Sequence, residues 1–255
     1  MSNKKEREKR REARLQEETK VETKDRRARL LQVGAGAVFL VIVGVVVLIV
    51  ASSGGSSGGD ASNLKEVSKV NGLVGAIPQE GLAIGDPSAK VELFEYGDLQ
   101  CPVCKAFSEE ILPQIIEGQV KEGKAQLVFR NFTIIGPESA PAGAAALAAG
   151  AQGRGWNYLE LFYRNQGEEN SEYVTDEFME SIAKGAGVKN LAKWNEERKG
   201  TEFTGDVTKT TEEAQKFGFT GTPSFAIKGP SSNGMELLGT PSSPEALEAA
   251  IEKAS

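Results

Sequence analysis

The chain has 255 residues, 39% of them hydrophobic, and carries a formal net charge of −6 without a single histidine. Mechanisms that need an imidazole base are therefore excluded: Ser-His-Asp hydrolysis, Cys-His proteolysis and the usual His-containing zinc sites. The two cysteines, Cys101 and Cys104, are too few and too close together for the disulfide framework of a small secreted scaffold.

The charge is unevenly spread. Residues 1–29 hold twelve Lys or Arg and seven Asp or Glu, net +5, which leaves −11 on the rest. A nucleic-acid binder would carry its basic patch on the folded domain, so a basic head on an acidic body argues against that class. The head is poor in apolar residues and reads as a solvated cytoplasmic tail. Residues 30–51, from Leu30 to Ala51, form a 22-residue run with Gln32 as its one strongly polar member. Such a run can cross a bilayer as a helix, and Arg26, Arg27 and Arg29 beside it place the N-terminus inside and the chain beyond residue 52 outside. A cleaved signal peptide, with Ala51-Ser52-Ser53 as the processing site, is the competing reading. The length of the run and of the basic head favour an uncleaved signal-anchor in the cell membrane. Residues 52–72 open with SSGGSSGGDAS, a flexible tether whose eleven residues span roughly 18 Å.

Residues 73–255 read as one folded domain. Val91 to Tyr96 (VELFEY), after a Pro87-Ser88 turn, predicts a buried strand. Cys101 to Leu112 predicts a helix with Pro102 near its first position. Pro113 interrupts it, and any continuation through Ile115 and Ile116 must kink. Ala125 to Phe132 predicts a second strand. Residues 138–217 predict a helical block. It comprises Ala140 to Ala151, Trp156 to Tyr163, Asp176 to Lys184 and Thr210 to Phe217. Trp156, Tyr158, Phe162 and Tyr163, at helical spacing, are expected in its core rather than along a substrate groove. Strands around Ser224 to Lys228 and Met235 to Leu238 follow, and then a helix that Ser243 caps and Pro244 opens.

Cys101 and Cys104 flank Pro102-Val103 on the first turn of the predicted helix. Residues three apart lie on one helical face, within bridging reach. The thiolate is the attacking species, and a helix N-terminus stabilises it through free N–H groups and the dipole. An effect of up to about 2 kcal/mol lowers a thiol from about 8.5 to about 7. Cys101 is thus the expected nucleophile and Cys104, a turn deeper, the resolving thiol. A structural disulfide, which stabilises little across so small a loop, and a zinc half-site completed by a second copy of the chain stay open beside this reading. The strand before the pair and the helix after it favour redox chemistry.

The run YGDLQCPVCKAF resembles the active-site segment of the DsbA-like thioredoxin-fold oxidoreductases, in particular their membrane-anchored bacterial group. Gly221-Thr222-Pro223-Ser224-Phe225, just before a predicted strand, resembles the cis-proline loop of that family. The resemblance covers about residues 75–255. It implies a thioredoxin-like α/β fold in which the 138–217 block is the inserted helical domain. It also implies that Thr222 and Pro223 face the cysteines and that the backbone there pairs with substrate peptide. An ordinary trans proline at a strand start is the alternative. Glu95 would lie beneath Cys104 and accept or relay its proton, with burial raising its pKa. The alternative is a strand-end carboxylate in water, since Glu92 also interrupts this strand. Pro102 and Val103 support the site, and Asp98 receives no role. The strongly oxidising members carry histidine after the proline. Val103 offers the thiolate neither charge nor hydrogen bond, which predicts a less oxidising disulfide.

The resemblance implies disulfide formation in secreted proteins, with no bound cofactor or metal. A membrane redox partner, DsbB-like or vitamin K epoxide reductase-like, would reoxidise the pair. Two alternatives remain: a membrane-tethered reductase or isomerase, and a non-catalytic peptide-binding module with a structural disulfide.

Overall fold

A computed structural model describes residues 63–255. The expected tail, the expected anchor at 30–51 and the start of the tether lie outside the described residues. Among the described residues no helix is long and apolar enough to cross a membrane.

Six strands form one sheet in the order β1-β2-β4-β3-β5-β6. They are β1 (Gln79–Glu80), β2 (Ala83–Ile84), β3 (Val91–Gly97), β4 (Ala125–Asn131), β5 (Ser224–Lys228) and β6 (Glu236–Gly239). β3 lies at the centre, parallel to β4 and antiparallel to β5. A central strand covered on both faces needs apolar residues at nearly every position. In β3 Glu92 alone escapes burial, and it faces Lys228 on β5. Successive side chains point to opposite faces. Phe94 and Tyr96 pack with Phe132, Ala214 and Ala226 on one side, while Val91 and Leu93 join the larger core on the other. Glu95 shares the face of Val91 and Leu93, and this is the face that carries the cysteine helix.

That helix, α2 (Pro102–Glu110), ends at Ile111, and α3 (Leu112–Ile115) restarts with Pro113 at its head. Proline has no N–H to continue the ladder, so the interruption falls where the sequence places it. The chain then widens into a π-turn over Ile116–Val120, which the sequence does not signal. The helical insertion comprises α4 (Ser139–Gly150), α5 (Gly155–Arg164), α6 (Asp176–Gly185), α7 (Leu191–Glu197) and α8 (Thr201–Lys216). Trp156, Tyr158, Phe162 and Tyr163 are all buried in it. The Trp156 indole donates to the Leu82 carbonyl at 2.9 Å, tying α5 to the sheet edge. Close approach at this seam requires glycine, because a Cβ on Gly155 would stand 2.3 Å from the Gly81 carbonyl oxygen. α9 (Pro244–Ala254) is capped by Ser243 Oγ, which accepts the Ala246 N–H, and packs against β5, β3 and α3.

Three regions differ from the expectation. Helix α1 (Val67–Val74) starts inside the stretch 52–72 assigned to the tether and runs past its end, burying Val70 and Val74. It packs on α5, where Asn157 donates to Asn71 at 3.0 Å. The folded unit therefore begins before residue 73, because one apolar stripe a turn apart suffices to dock a short helix. The two-residue strands β1 and β2 carry too little pattern to predict. Helix α7 and the first half of α8 are also unannounced. α7 buries Trp194 alone, and α8 is rich in threonine, with Gly205 in its middle and just Val207 and Ala214 buried. Poor helix formers on a narrow apolar stripe give little periodic signal.

Candidate active site

Cys101 is the N-cap of α2, with extended backbone (φ −73°, ψ 119°), and Pro102 occupies the first turn. Its Sγ accepts the Cys104 N–H at 3.4 Å. The turn is held from both sides. The Cys101 N–H donates to the Asp98 carbonyl at 3.0 Å. Gln166, just after α5, donates to the Leu99 carbonyl at 2.7 Å and the Cys101 carbonyl at 3.1 Å. Both cysteines are free thiols, Cys101 4% exposed and Cys104 fully buried. Val103 is half-buried and packs against the main core.

The Thr222-Pro223 peptide bond is cis. The loop lies against the cysteine cap, where the Cys101 thiol donates to the Thr222 carbonyl at 3.4 Å. Thr240 Oγ1 donates to the Pro223 carbonyl at 2.6 Å and Ser224 Oγ to the Gly221 carbonyl at 2.7 Å, so the loop is fastened behind. Cys101, Cys104, Thr222 and Pro223 therefore meet at one site.

Glu95 lies under it. The side chain is completely buried, and neither carboxyl oxygen has a hydrogen-bond partner. In register it stands between Phe129 of β4 and Phe225 of β5. The Phe225 ring packs 4.8 Å from Phe107, one turn after Cys104 on α2. The solvated strand-end carboxylate is thereby ruled out. Burial, then the negative charges of Glu160 and Cys101, push the Glu95 carboxyl up to about 8.

The two thiols shift in opposite directions. The Cys104 thiol lowers Cys101 to about 7 by hydrogen bonding to its thiolate. Burial opposes this, and Thr222 with the N–H groups of Cys104 and Val103 assists. Burial pushes Cys104 well above its ordinary value, with the Cys101 hydrogen bond and the charges of Cys101 and Glu95 adding to it. Among the described residues no three Cys, Asp or Glu side chains are gathered to hold a metal ion.

Several residues around the site carry little or no sequence signal. Asp98 is 1% exposed and accepts from three backbone N–H groups: Gln100 at 2.9 Å, Ile134 at 2.8 Å and Ile135 at 3.0 Å. It joins the cysteine turn to the loop after β4. Its position three residues before Cys101 is a hint, but its partners lie far along the chain. Gln166 and Gln100 are equally invisible, since nothing in a lone glutamine announces a loop clamp. Gly97 has a steric reason: a Cβ there would stand 2.6 Å from the Phe129 ring.

A family model described as thioredoxin matches residues 78–253. A probable disulfide bond formation protein D of Bacillus cereus is 30% identical over 150 residues, which cover 58% of this chain and 69% of that protein. Among solved structures, oxidised BdbD of Bacillus subtilis superposes with a TM-score of 0.60 at 22% identity, covering 70% of this chain and 97% of that one. α-DsbA1 of Wolbachia pipientis gives 0.58 at 20%, covering 68% and 89%. The chain belongs to the thioredoxin family, as a DsbA-like thiol–disulfide oxidoreductase.

Proposed function

We propose that the chain forms disulfides in secreted proteins outside the cell, through Cys101 and Cys104, from an anchor at residues 30–51. The observation that carries this reading is the geometry of the site: the Cys101 cap lies against the cis Thr222-Pro223 loop, above a fully buried Cys104 and a buried Glu95 carboxyl without a hydrogen-bond partner. In the oxidised pair, a substrate thiolate attacks Cys101 Sγ and the Cys101–Cys104 bond breaks. Cys104 leaves with the bonding electrons and takes a proton. A thiol so far above its usual pKa is a poor leaving group unless protonated as it departs. Glu95, still protonated at neutral pH, supplies that proton and takes it back from Cys104 when the pair is reoxidised. A second substrate thiolate then attacks the substrate sulfur of the mixed disulfide. Cys101 departs as a thiolate, which its lowered pKa favours. The substrate is left oxidised and the pair reduced, with two electrons gained.

Thr222 and Pro223 border the attacked sulfur, and the backbone there aligns the substrate strand. Pro102 and Val103 shape the turn. A DsbB-like or vitamin K epoxide reductase-like membrane partner takes the electrons and restores the disulfide. Equilibration of the full chain against glutathione tests the direction. A potential near about −120 to −180 mV fits a disulfide donor or isomerase, whereas one near about −270 mV or below fits a reductase and overturns the proposed direction.

The reductase or isomerase reading keeps one observation in its favour. The side chain between the cysteines is valine, which leaves the Cys101 thiolate without a cationic partner on its own turn.

A further inference from the structure

A cavity of about 220 Å³ opens between the head of α1, the flank of α2 and the end of α5. Lys65, Glu66 and Lys69 line it from α1 and the residues just before it, Lys105 and Glu109 from α2, and Arg164 from the last turn of α5. Space of this kind holds one water in roughly 10–15 Å³, so a group of several heavy atoms fits. The wall is fixed where the chain enters α1. The Lys65 N–H donates to Asn165 Oδ1 at 2.8 Å, and the Asn165 amide donates to the Lys65 carbonyl at 3.3 Å.

Arg164 is the unusual member. Its side chain is 1% exposed. Nη1 turns inward, donating to the Glu160 carboxylate and, at 3.1 Å, to the Glu160 carbonyl. Among the described residues neither Nε nor Nη2 has a hydrogen-bond partner. Glu66 comes within 3.1 Å of Nε, but off the N–H axis, so the ion pair is made without a hydrogen bond. Glu66 is 42% exposed and also reaches Lys69 at 3.3 Å. Nε and Nη2 are the parallel donors on one edge of the guanidinium, a fork that matches two oxygens of a carboxylate or a phosphate. That edge turns toward Glu66, a residue of the cavity wall. Two buried donors without acceptors are costly, and a ligand that takes both recovers the loss.

The charges around the fork select the class of anion. Lys65, Lys69, Lys105 and Arg164 meet three acids: Glu66, Glu109 and, behind the guanidinium, Glu160. Glu109 is half-buried, and burial raises its carboxyl, so it opposes an incoming anion less than an exposed acid would. A carboxylate is already at hand in Glu66, and it leaves Nη2 unfilled. A phosphate brings more oxygens and more charge. Two oxygens span the fork, and the others face the ammonium groups, which bind phosphate as point charges.

We propose that this cavity is a phosphate-binding site: two oxygens of the group sit on Nε and Nη2 of Arg164, the lysines Lys65, Lys69 and Lys105 balance its charge, and Glu66 swings aside into solvent. Bound there, the group joins the head of α1 to the cysteine helix. The proposed tether leads directly to Lys65, so the phosphate has two sources: a phospholipid headgroup at the membrane surface, or free phosphate.

The test is calorimetric titration of the full chain in dodecyl maltoside with inorganic phosphate, at an ionic strength held constant with sodium chloride. Saturable binding at one site is expected. Arg164→Lys keeps the charge that faces Glu160 but loses the fork, and is expected to weaken binding about tenfold or more. Lys69→Gln removes an exposed charge and is expected to weaken it about two- to fivefold. Glu66→Gln removes the competing carboxylate and is expected to strengthen binding by a similar factor. An absence of saturable binding, or one affinity shared by wild type and all three variants, overturns the site. If Arg164→Lys does not fold, Lys69→Gln and Glu66→Gln decide: changes of opposite sign support the site, and changes of one sign or none overturn it. The titration is then repeated in phosphatidylglycerol vesicles, at salt high enough to screen their surface charge. Loss of the phosphate response there assigns the site to the lipid headgroup, and an unchanged response assigns it to free phosphate.

Discussion

At the open end of the first turn of α2, Cys101 meets backbone N–H groups, a neighbouring thiol and the Thr222 loop. One turn deeper, Cys104 meets buried apolar packing, the Tyr163 phenol and the unpartnered Glu95 carboxyl. The same functional group is thus lowered to about 7 in one place and raised well above its usual value in the other. The difference teaches that the helix end supplies only half of a dithiol site. The other half is a deliberately unsolvated floor, which makes departure of the deeper sulfur depend on a proton. The sheet provides that floor from β3, and the insertion provides it from α5.

The sharpest way to break this asymmetry is to remove one sulfur at a time. Cys101→Ser is expected to reduce exchange with a model disulfide to background, a loss on the order of 10⁴-fold or more, as for other lost nucleophiles. Cys104→Ser is expected to keep the first attack and lose the resolving step, so that mixed disulfides through Cys101 accumulate and can be seen by mass. Were both variants to behave alike, the division into attacking and resolving thiols would be wrong.

The floor can be tested without chemistry. The folded Glu95 carboxyl is raised from 4.5 to about 8. Between these pH values the unfolded chain releases a proton that the folded chain keeps. The Glu95 contribution to folding stability therefore falls as pH rises from about 4.5 to about 8, and the loss is constant above that. Over 3.5 units the loss is on the order of 5 kcal/mol. Glu95→Gln lacks this term. The difference in urea unfolding free energy, variant minus wild type in the reduced form, should grow by roughly 4–5 kcal/mol between pH 4.5 and 9. A difference independent of pH would mean that water reaches Glu95, and the floor would not be dry.

Much of this arrangement is legible in the sequence, for reasons that can be named. β3, the cysteine turn and β5 are written in local patterns: an apolar run, two cysteines three apart with proline between, and a proline at a strand start. The cap at Ser243 and the break before Pro113 follow from single residues whose backbone chemistry is fixed. What escapes is whatever depends on distant partners. Asp98 is one acid among many until Ile134 and Ile135 fold back onto it. Glu160 and Arg164 look like an ordinary exposed pair four residues apart, and only the packing of α5 against α2 buries them. α1 is lost because a Gly/Ser tether precedes it without a break in polarity.

The smallest expected effect concerns the open end alone. Val103 is half-buried beside the Cys101 cap and brings no charge to it. In Val103→His, a protonated imidazole on the same turn would stabilise the Cys101 thiolate. An opposite charge at this range lowers a thiol by about one pH unit. That is about 1.4 kcal/mol favouring the reduced form, and it raises the potential of the pair by about 30 mV. Titration of the thiolate by its ultraviolet absorbance should show the Cys101 midpoint moving down from about 7, while the pH range over which Glu95→Gln alters urea stability still ends near 8. Movement of the first without the second would show that the cap and the floor are set independently. If both moved together, the turn would be one coupled unit, and the opposition between Cys101 and Cys104 would have to be described as a property of the pair.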